Sequence, residues 1–318
     1  MSQYDLIIIG GGISGMTAAL SALESGIKKV LILDREDVLG GILNQCIHCG
    51  FGNKILKTEL TGPEYVSFIK NRLATYDVDI KLNTEVLDIS KDKVVTYVNS
   101  CDGVKEVTGK ALILATGCRE KYTGSISIAT NSYTGICTVG NAHRVVNLEG
   151  YLPGREPVIV VRNKWALIVA RRLYIEGAKI KGILIQENDN FRFNDENKEI
   201  IEGFNIPVYL EFKVTEIYGD ERVEGVKIYS EIDKNSMIIE CDSVILSVGY
   251  FPEINLLKKI NVTLDKDTLA PVVEDYQTEI DGIFACGNLI YGTKALTKKD
   301  INGEEVGKKA AEFIKKNN

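Results

Sequence analysis

Two cysteines and a histidine stand close together at Cys46-Ile47-His48-Cys49. Cysteines separated by two residues can close a small disulfide ring, and a protonated histidine beside them favours the thiolate, the form that attacks disulfides. Three interpretations are open: a redox-active disulfide, a lone catalytic pair of Cys46 and His48, and buried thiols that only pack the site. The chain has no second C-x-x-C and only one other histidine, His143, so the sequence predicts neither a zinc site nor an iron–sulfur cluster.

A glycine-rich turn near the start of the chain is the first element that could position a bound cofactor. Residues 6–9 are a continuous apolar run, typical of a strand buried on both faces of a parallel sheet. Gly10, Gly12 and Gly15 then form G-x-G-x-x-G, and Asp34 follows about 20 residues later at the end of the next strand. Such glycines let a pyrophosphate approach a helix N-terminus, and the acid can bind a ribose hydroxyl. The spacing predicts a dinucleotide site.

A second strand, turn and helix at 157–180, "PVIVVRNKWALIVARRLYIEGAKI", has no glycine in its turn. Val161, Asn163 and Ala166 stand at the three glycine positions. Side chains at the first two should keep a pyrophosphate away from the backbone, whereas alanine at the third is mild. Glu187 occupies the place that Asp34 has in the first frame. We expect this strand, turn and helix to form part of a folded domain whose dinucleotide motif is degenerate.

The two frames and the strands that close them predict the fold class. "CDSVILSVG" at 241–249 repeats the role of "GKALILATG" at 109–117. The pattern is typical of an α/β protein with two doubly wound Rossmann-like dinucleotide-binding domains, the second inserted in the first. The expected boundaries are 1–117 and 250–318 for the first domain and 118–249 for the second.

Three local elements can also be predicted. A helix should start at Thr61, with Pro63 near its first turn, because proline is favoured there. A final helix is expected near 303–316. The stretch 118–156 is expected to be long, irregular and rich in turns.

Composition excludes some classes of protein. The 318 residues carry a formal net charge of -6 and no basic surplus that could neutralise a nucleic-acid backbone. The first residues, "MSQYDLIIIGGG", lack the pattern of a signal peptide, and no apolar run approaches the roughly 20 residues of a membrane span. The 7 cysteines are an odd number and mostly scattered. We therefore expect a cytoplasmic protein with reduced thiols and no transmembrane segment.

Taken together, the motifs resemble a known family, the two-domain FAD-dependent pyridine nucleotide-disulfide oxidoreductases in their thioredoxin-reductase-like form. The resemblance covers essentially the whole chain. Within the family the chain is most similar to flavoprotein components associated with anaerobic glycerol-3-phosphate dehydrogenase-type subunits. The stretches that carry these resemblances are the first glycine motif with Asp34, "GGILNQCIH", "TGPEY", "LILATG", "ATGCRE", "NLEGYLPG", "ALIVARRLYIEGAKI", "SVGYFPEINLL" and "TEIDGIFACGN".

The resemblance implies FAD as the cofactor of the first domain and an NAD(P)-binding-like second domain with a degenerate glycine motif. It also implies that Cys46, His48 and Cys49 lie beside the flavin ring as candidate catalytic residues. Many relatives carry aspartate where this chain has Asn288, but a neutral amide can still bond, so we expect FAD binding to be retained. The residues expected to bind FAD are Gly10, Gly12, Ile13, Ser14, Gly15, Asp34, Arg35, Gly40, Gly41, Val86, Ala115, Thr116, Gly117, Gly287 and Asn288.

The implied activity is that of an FAD-dependent oxidoreductase with impaired NAD(P)H binding. If NAD(P)H does not exchange electrons with the FAD, a protein partner must do so, such as a dehydrogenase subunit or a small redox carrier. The expected role is an electron-transfer subunit of a multi-subunit dehydrogenase of the glycerol-3-phosphate dehydrogenase type, and the protein could form an oligomer. Two alternatives stay open: a self-sufficient NAD(P)H-dependent disulfide reductase that uses Cys46 and Cys49, and a non-catalytic flavin-binding structural or sensing module.

Overall fold

A computed structural model of the chain describes residues 2–53, 57–121, 133–188, 191–294 and 302–317. The chain divides into two compact units, Met1–Arg119 with Tyr250–Asn318, and Glu120–Gly249. The second unit is thus an insertion in the first. From the sequence we predicted that the chain passes from one unit to the other after residues 117 and 249. In the structure it does so after Arg119 and Gly249.

The strands and α-helices of the described residues follow in chain order. The first segment contains β1 Ser2–Ile9, α1 Ile13–Glu24, β2 Val30–Leu33, β3 Cys49–Phe51, β4 Leu60–Thr61, α2 Gly62–Leu73, β5 Asp79–Lys81, β6 Glu85–Ile89, β7 Val94–Asn99 and β8 Gly103–Leu114. The crossing strand β9 Cys118–Glu120 leads to β10 Ile136–Thr138, α3 Val139–Arg144, β11 Pro157–Val161, α4 Lys164–Ile175, β12 Gly182–Ile185, α5 Asp195–Lys198, β13 Val208–Leu210, β14 Phe212–Gly219, β15 Val223–Ser230, β16 Asn235–Glu240 and β17 Ser243–Leu246. The last segment contains β18 Tyr250–Pro252, α6 Asn255–Lys259, β19 Ile283–Ala285 and α7 Gly303–Lys316.

The sheet of the first unit has a parallel part in the order β5-β2-β1-β8-β19. In the central register Ile7 lies opposite Leu31 on one side and Leu112 on the other. Residues 6–9 are buried, as the apolar run predicted. The long strand β8 also pairs antiparallel with β7, which pairs with β6, so a three-stranded meander extends the same sheet.

The second unit repeats this order. Its parallel sheet runs β13-β12-β11-β17-β10, with Ile159 opposite Ile183 and Ile245. A separate antiparallel meander is formed by β14, β15 and β16. The predicted α/β fold with two Rossmann-like units is confirmed, because β1 lies between β2 and β8 in the first parallel sheet as β11 lies between β12 and β17 in the second.

Local sequence signals explain where α2 begins. Thr61 precedes the helix and its hydroxyl accepts a hydrogen bond from the Glu64 N–H, while Glu64 Oε2 accepts one from the Thr61 N–H at 2.8 Å. This reciprocal pair satisfies two backbone donors that the first turn of a helix leaves open. Pro63 stands in that turn, where its missing N–H costs nothing. The predicted helix start is confirmed.

The predicted irregular stretch 118–156 is wrong in its described part. Strand β10 and helix α3 follow one another directly, and a π-helical turn, Val145–Glu149, continues α3. β10 is a short edge strand of the second parallel sheet, so its pairing with β17 comes from tertiary structure and leaves little trace in the sequence. Residues 122–132 lie outside the described part of the chain.

Helices α1 and α7 pack with their backbones close together in the first unit. A Cβ on Gly303 would lie 2.1 Å from the Ser14 carbonyl oxygen, and one on Gly307 would lie 2.3 Å from the Ala18 carbonyl oxygen. The Ser21 hydroxyl donates to the Glu304 carbonyl at 2.8 Å across the same contact. Only glycine allows the two helix backbones to come this close. The close contact holds the start of α7 beside the first turn of α1.

We expect Gly307→Ala to destabilise the protein by about 1–3 kcal/mol, because the new methyl would strike the backbone of α1. This cost exceeds the roughly 1 kcal/mol that alanine gains over glycine in a helix. Urea unfolding followed by circular dichroism measures the change. The neighbouring Lys308→Ala, at an exposed position, is the control with little expected effect. A Gly307→Ala protein as stable as the original would contradict the close packing.

Candidate functional site

The glycines after β1 serve two different purposes. A Cβ on Gly10, whose φ is +107°, would lie 2.4 Å from the Ala115 carbonyl oxygen, and one on Gly15 would lie 1.9 Å from the Gly10 oxygen. These two glycines are therefore required for packing α1 against the strands. At Gly12 the nearest atom to such a Cβ is the Gly41 Cα at 4.0 Å, so this position leaves open space at the start of α1.

The N-terminus of α1 is available to an anion. Its N-cap residue is Gly12, and in the described part of the chain no side chain caps it and no acidic residue stands in its first turn. The first N–H groups of a helix have no partner within the helix and carry its positive end. A phosphate is the usual ligand for such an end next to a glycine turn.

Asp34 lies at the carboxyl end of β2 and is held in place by the backbone. Its Oδ2 accepts from the Gly11 N–H at 2.5 Å, and its Oδ1 accepts from the Glu36 N–H at 2.8 Å. The side chain is 9% exposed. Because each carboxylate oxygen can accept more than one bond, this fixed acid has capacity left for a ribose hydroxyl. Arg35 beside it is exposed.

The double-glycine loop lies against the same turn. The Gly40 N–H donates to the Gly11 carbonyl at 2.9 Å, and both Gly40 and Gly41 have positive φ, +121° and +56°. A Cβ on Gly41 would lie 3.1 Å from the Gly12 Cα. The sequence-predicted glycines of two separate segments thus meet at the start of α1.

The remaining predicted FAD residues come from β8 and from the segment after β19. Gly117 has φ +72°, and among the described residues no atom would lie within 4 Å of a Cβ added there, while the Thr116 hydroxyl donates to the Glu253 carbonyl at 2.8 Å. Gly287 has φ +69°, and a Cβ there would lie 2.6 Å from Ser14 Oγ. The structure therefore brings the β8 end, the Gly287 turn and the α1 terminus to one edge of the sheet.

Three predicted residues stand at the margins of this group. Ile13 is the first residue of α1 and Asn288 follows Gly287, both partly buried. Val86 lies on β6 and packs partly into the core of the first unit. It is near Asp34 through Thr84, whose N–H donates to the Asp34 carbonyl at 2.9 Å. We call the whole set the first-unit site, and its members are Gly10, Gly12, Ile13, Ser14, Gly15, Asp34, Arg35, Gly40, Gly41, Val86, Ala115, Thr116, Gly117, Gly287 and Asn288.

Sequence reasoning missed a residue at this site. Asn302 directly precedes α7, is 5% exposed, and its Oδ1 accepts from the Gly287 N–H at 2.8 Å. Its buried Nδ2 has no hydrogen-bond partner among the described residues. Buried amides without partners are rare, so this donor fits a ligand group at the site. The only sequence signal was the preference for asparagine before a helix.

Cys46 is a buried thiol. Its Sγ donates to the Ile42 carbonyl at 3.0 Å, and its side chain is 1% exposed. Gly62 makes room for it, because a Cβ there would lie 2.8 Å from the Cys46 Cβ. Burial raises the pKa of the Cys46 thiol to about 12. This desolvation outweighs the effect of a neighbouring histidine on the thiolate, so in this conformation the geometry favours the interpretation of Cys46 as a packed thiol.

His48 and Cys49 have different surroundings. Cys49 is exposed on β3. Cys46 and Cys49 are both free thiols. His48 Nδ1 lies 2.9 Å from the Cys49 carbonyl oxygen, and its ring centroid is 5.2 Å from that of Phe51. A catalytic disulfide of Cys46 and Cys49 stays a prediction, while the geometry at Cys46 favours a packing role. Among the residues that the structure describes, no three His, Cys, Asp or Glu side chains gather as metal ligands.

In the second unit the helix after the first strand is capped by its own sequence. Asn163 is the N-cap residue of α4, and its Oδ1 accepts from the Ala166 N–H at 3.0 Å. Its Nδ2 donates to Ser247 Oγ at 3.1 Å, which ties the cap to the end of β17. Lys164 pairs with Glu196 at 2.6 Å. The Asn163 side chain therefore occupies the Ala166 N–H, a backbone donor that a phosphate would use.

The acid of the second frame is also engaged. Glu187 Oε1 accepts from the Phe193 N–H at 2.7 Å, and Oε2 pairs with Arg192 at 3.1 Å. The backbone bond from Phe193 lowers the pKa of Glu187. Asn188 Nδ2 donates to the Arg162 carbonyl at 2.9 Å, so this loop also holds the degenerate turn.

Trp165 and His143 pack together beside this turn. Their rings meet edge to face with centroids 4.6 Å apart, and His143 is 1% exposed. Trp165 lies against the main hydrophobic core of the second unit. This contact favours a structural role for His143.

The fold and the first-unit site define a two-domain dinucleotide-binding protein of the α/β class. A family model described as pyridine nucleotide-disulphide oxidoreductase matches residues 4–302. The chain is 24% identical over 294 residues to the F subunit of alkyl hydroperoxide reductase from Staphylococcus epidermidis, covering 90% of this chain and 54% of the relative. The chain therefore spans about half the length of that relative.

Two further comparisons cover both partners almost completely. Thioredoxin reductase of Aquifex aeolicus is 24% identical over 331 residues, covering 98% of this chain and 93% of the relative. The crystal structure of T. acidophilum thioredoxin reductase superposes with a TM-score of 0.76 at 25% identity, covering 100% of this chain and 99% of that one.

The chain belongs to the pyridine nucleotide-disulphide oxidoreductase family. Its two-domain fold is the thioredoxin-reductase-like form of that family. Within the described residues, no helix combines the length and apolar character needed to cross a membrane.

The cysteines provide a direct test of the site geometry. We expect iodoacetamide at pH 8 to modify Cys49 in the native protein and to leave Cys46 unmodified, because Cys46 is buried and its thiol has a pKa of about 12. Peptide mapping by mass spectrometry measures the extent at each position. Exposed Cys101 and buried Cys286 are internal references for fast and slow reaction. Equal rates at Cys46 and Cys49, or a disulfide between them, would contradict the packing role.

Proposed function

We propose that this protein is an FAD-bearing electron-transfer component whose redox partner is another protein and not soluble NAD(P)H. The observation that carries the proposal is the Asn163 side chain, which caps α4 at the position where a nicotinamide dinucleotide would place its pyrophosphate. A partner of the glycerol-3-phosphate dehydrogenase type is the specific role that the sequence resemblance suggests.

The first-unit site supports the FAD part of the proposal. The N–H groups at the start of α1 would hold the pyrophosphate, and Asp34, fixed by two backbone donors, would accept from the adenine ribose. The open space at Gly12 and Gly117 would let the cofactor approach the backbone. FAD, when bound, supplies a centre that accepts and releases electrons in pairs. We propose the residues of the first-unit site as its ligands.

Binding of NAD(P)H in the second unit would disrupt several existing contacts. The pyrophosphate would have to displace Asn163 Oδ1 from Ala166, and such a cap contributes about 1 kcal/mol. Val161 has no exposed surface and fills the first glycine position. Glu187 would have to release Phe193 or Arg192 to reach a ribose. These costs come in addition to the lack of free backbone N–H groups for the phosphates, so we infer weak or no NAD(P)H binding.

A protein partner then becomes necessary for turnover. One of the relatives, the alkyl hydroperoxide reductase protein of Staphylococcus epidermidis, is named as a subunit, and this supports a multi-component role. We infer that the partner is a dehydrogenase subunit or a small redox carrier. The exposed thiol of Cys49 leaves open a direct disulfide exchange with such a carrier.

An anaerobic reduction experiment tests the proposal. In the purified protein loaded with FAD, we expect NADH and NADPH to leave the visible flavin absorbance unchanged, because Asn163 occupies the nucleotide seat of the second unit. Dithionite should bleach it and serves as the control for a reducible flavin. Rapid bleaching by either nucleotide would overturn the partner role and favour a self-sufficient reductase.

Fluorescence separates absent binding from absent electron transfer. Trp165 is the only tryptophan of the chain and lies in the first turn of α4, next to the degenerate turn. NADH bound there would quench it by energy transfer, so we expect no saturable quenching. Saturable quenching without bleaching would show that the turn still binds nucleotide and would refute its loss.

The cap itself can be tested through stability. We expect Asn163→Ala to lower the free energy of unfolding by about 1 kcal/mol, because the Ala166 N–H loses its acceptor. Asn163→Asp keeps that acceptor and is the matched control, with a smaller loss expected. Urea unfolding followed by Trp165 fluorescence reports on this unit. An Asn163→Ala protein as stable as the original would show that Asn163 does not cap α4.

A further inference from the structure

The side chain of Asn302 combines burial with an unused donor. One end of its carboxamide is fixed, because Oδ1 accepts from the buried Gly287 N–H at 2.8 Å. The other end, Nδ2, is buried without a partner among the described residues. A buried polar group without a partner destabilises the folded protein, because it has lost its hydrogen bonds to water. Such a cost in a side chain that is only 5% exposed points to a ligand that the site is built to hold.

The position of Asn302 identifies the part of the ligand it would meet. Its neighbour Gly303 would place a Cβ 2.1 Å from the Ser14 carbonyl oxygen, and its partner Gly287 would place one 2.6 Å from Ser14 Oγ. Ser14 belongs to the first turn of α1, whose N-terminus no described side chain caps. The amide therefore lies next to the helix end that favours a phosphate.

The starts of two helices meet at this point. α7 has 14 residues, and no side-chain cap is present at Asn302. Its first-turn acids are engaged elsewhere, since Glu304 pairs with Lys308 at 2.7 Å and Glu305 accepts from the Tyr276 hydroxyl. The starts of α1 and α7 thus lie together around a neutral amide, and the uncapped end of α1 contributes positive partial charge there.

We propose that Asn302 is a cofactor-binding residue that donates its Nδ2–H to the FAD pyrophosphate while Gly287 fixes its orientation. This inference rests on the proposed FAD site of the first unit. The residue type matters, because an aspartate of the same shape would keep the Gly287 bond but would place a negative charge against the phosphate. Asn302 thereby links the turn after β19 to the cofactor.

The pair Asn302→Asp and Ser21→Ala tests the proposal. We expect Asn302→Asp to weaken FAD binding at least about tenfold, the loss of a charge-assisted hydrogen bond, in titrations of deflavinated protein with FAD. The urea midpoint of the FAD-free variant should not fall, because the Gly287 bond is kept and the donor without a partner is removed. Ser21→Ala removes the hydrogen bond that Ser21 donates to the Glu304 carbonyl. Because Ser21 lies beyond the first turn of α1, this control variant should bind FAD normally.

Each outcome has a distinct meaning. FAD affinity of Asn302→Asp equal to that of the original chain would overturn the proposal, and so would a weakened variant whose FAD-free form is destabilised to the same degree. If Asn302→Asp does not fold, Asn302→Ala removes the donor without adding charge and must also bind FAD more weakly. An unaltered protein that takes up no FAD would refute the proposed function itself.

Discussion

The free N–H groups at the start of the helix after the first strand are the constraint that shapes both units. A helix cannot satisfy these donors internally, and it concentrates positive partial charge there. Both units place such a helix at the same point of the same strand order. In the first unit Gly12 leaves the helix end open, whereas in the second Asn163 closes it with its own carboxamide. The same strand order therefore carries an open helix end in one unit and a capped helix end in the other.

Much of the fold could be predicted because its determinants are local. The apolar run of residues 6–9, the Thr61 capping box and the final helix at 303–316 each follow from neighbouring residues, and the structure has all three. The repeat of strand order between the units followed from two glycine-ended strands. The short strand β10 and helix α3 escaped prediction because an edge strand of three residues depends on its pairing with β17, a contact distant in sequence.

The candidate site was predictable in its glycines and not in its side-chain chemistry. Gly10 and Gly15 are demanded by backbone contacts that any such turn makes, so the motif alone located them. The protonation state of Cys46 depends on how Gly62 and its neighbours exclude water, which the sequence does not encode locally, so the sequence left three interpretations of Cys46 open. Asn302 becomes significant only once Gly287, distant in sequence, donates to its carboxamide.

The two ways of satisfying a helix end have different thermodynamic consequences. An internal cap such as Asn163 stabilises its unit at all times, so the second unit needs no nucleotide to complete its hydrogen bonding. A site completed by a ligand gains stability only as that ligand binds, by an amount that grows with the logarithm of its free concentration over its dissociation constant. Under the proposal for Asn302, the first unit belongs to this second class, because the buried Nδ2 of this residue has no partner among the described residues. Under the proposed function, asparagine in place of glycine leaves the second domain independent of a nucleotide, and the surface that a nucleotide would otherwise cover is free to contact another protein.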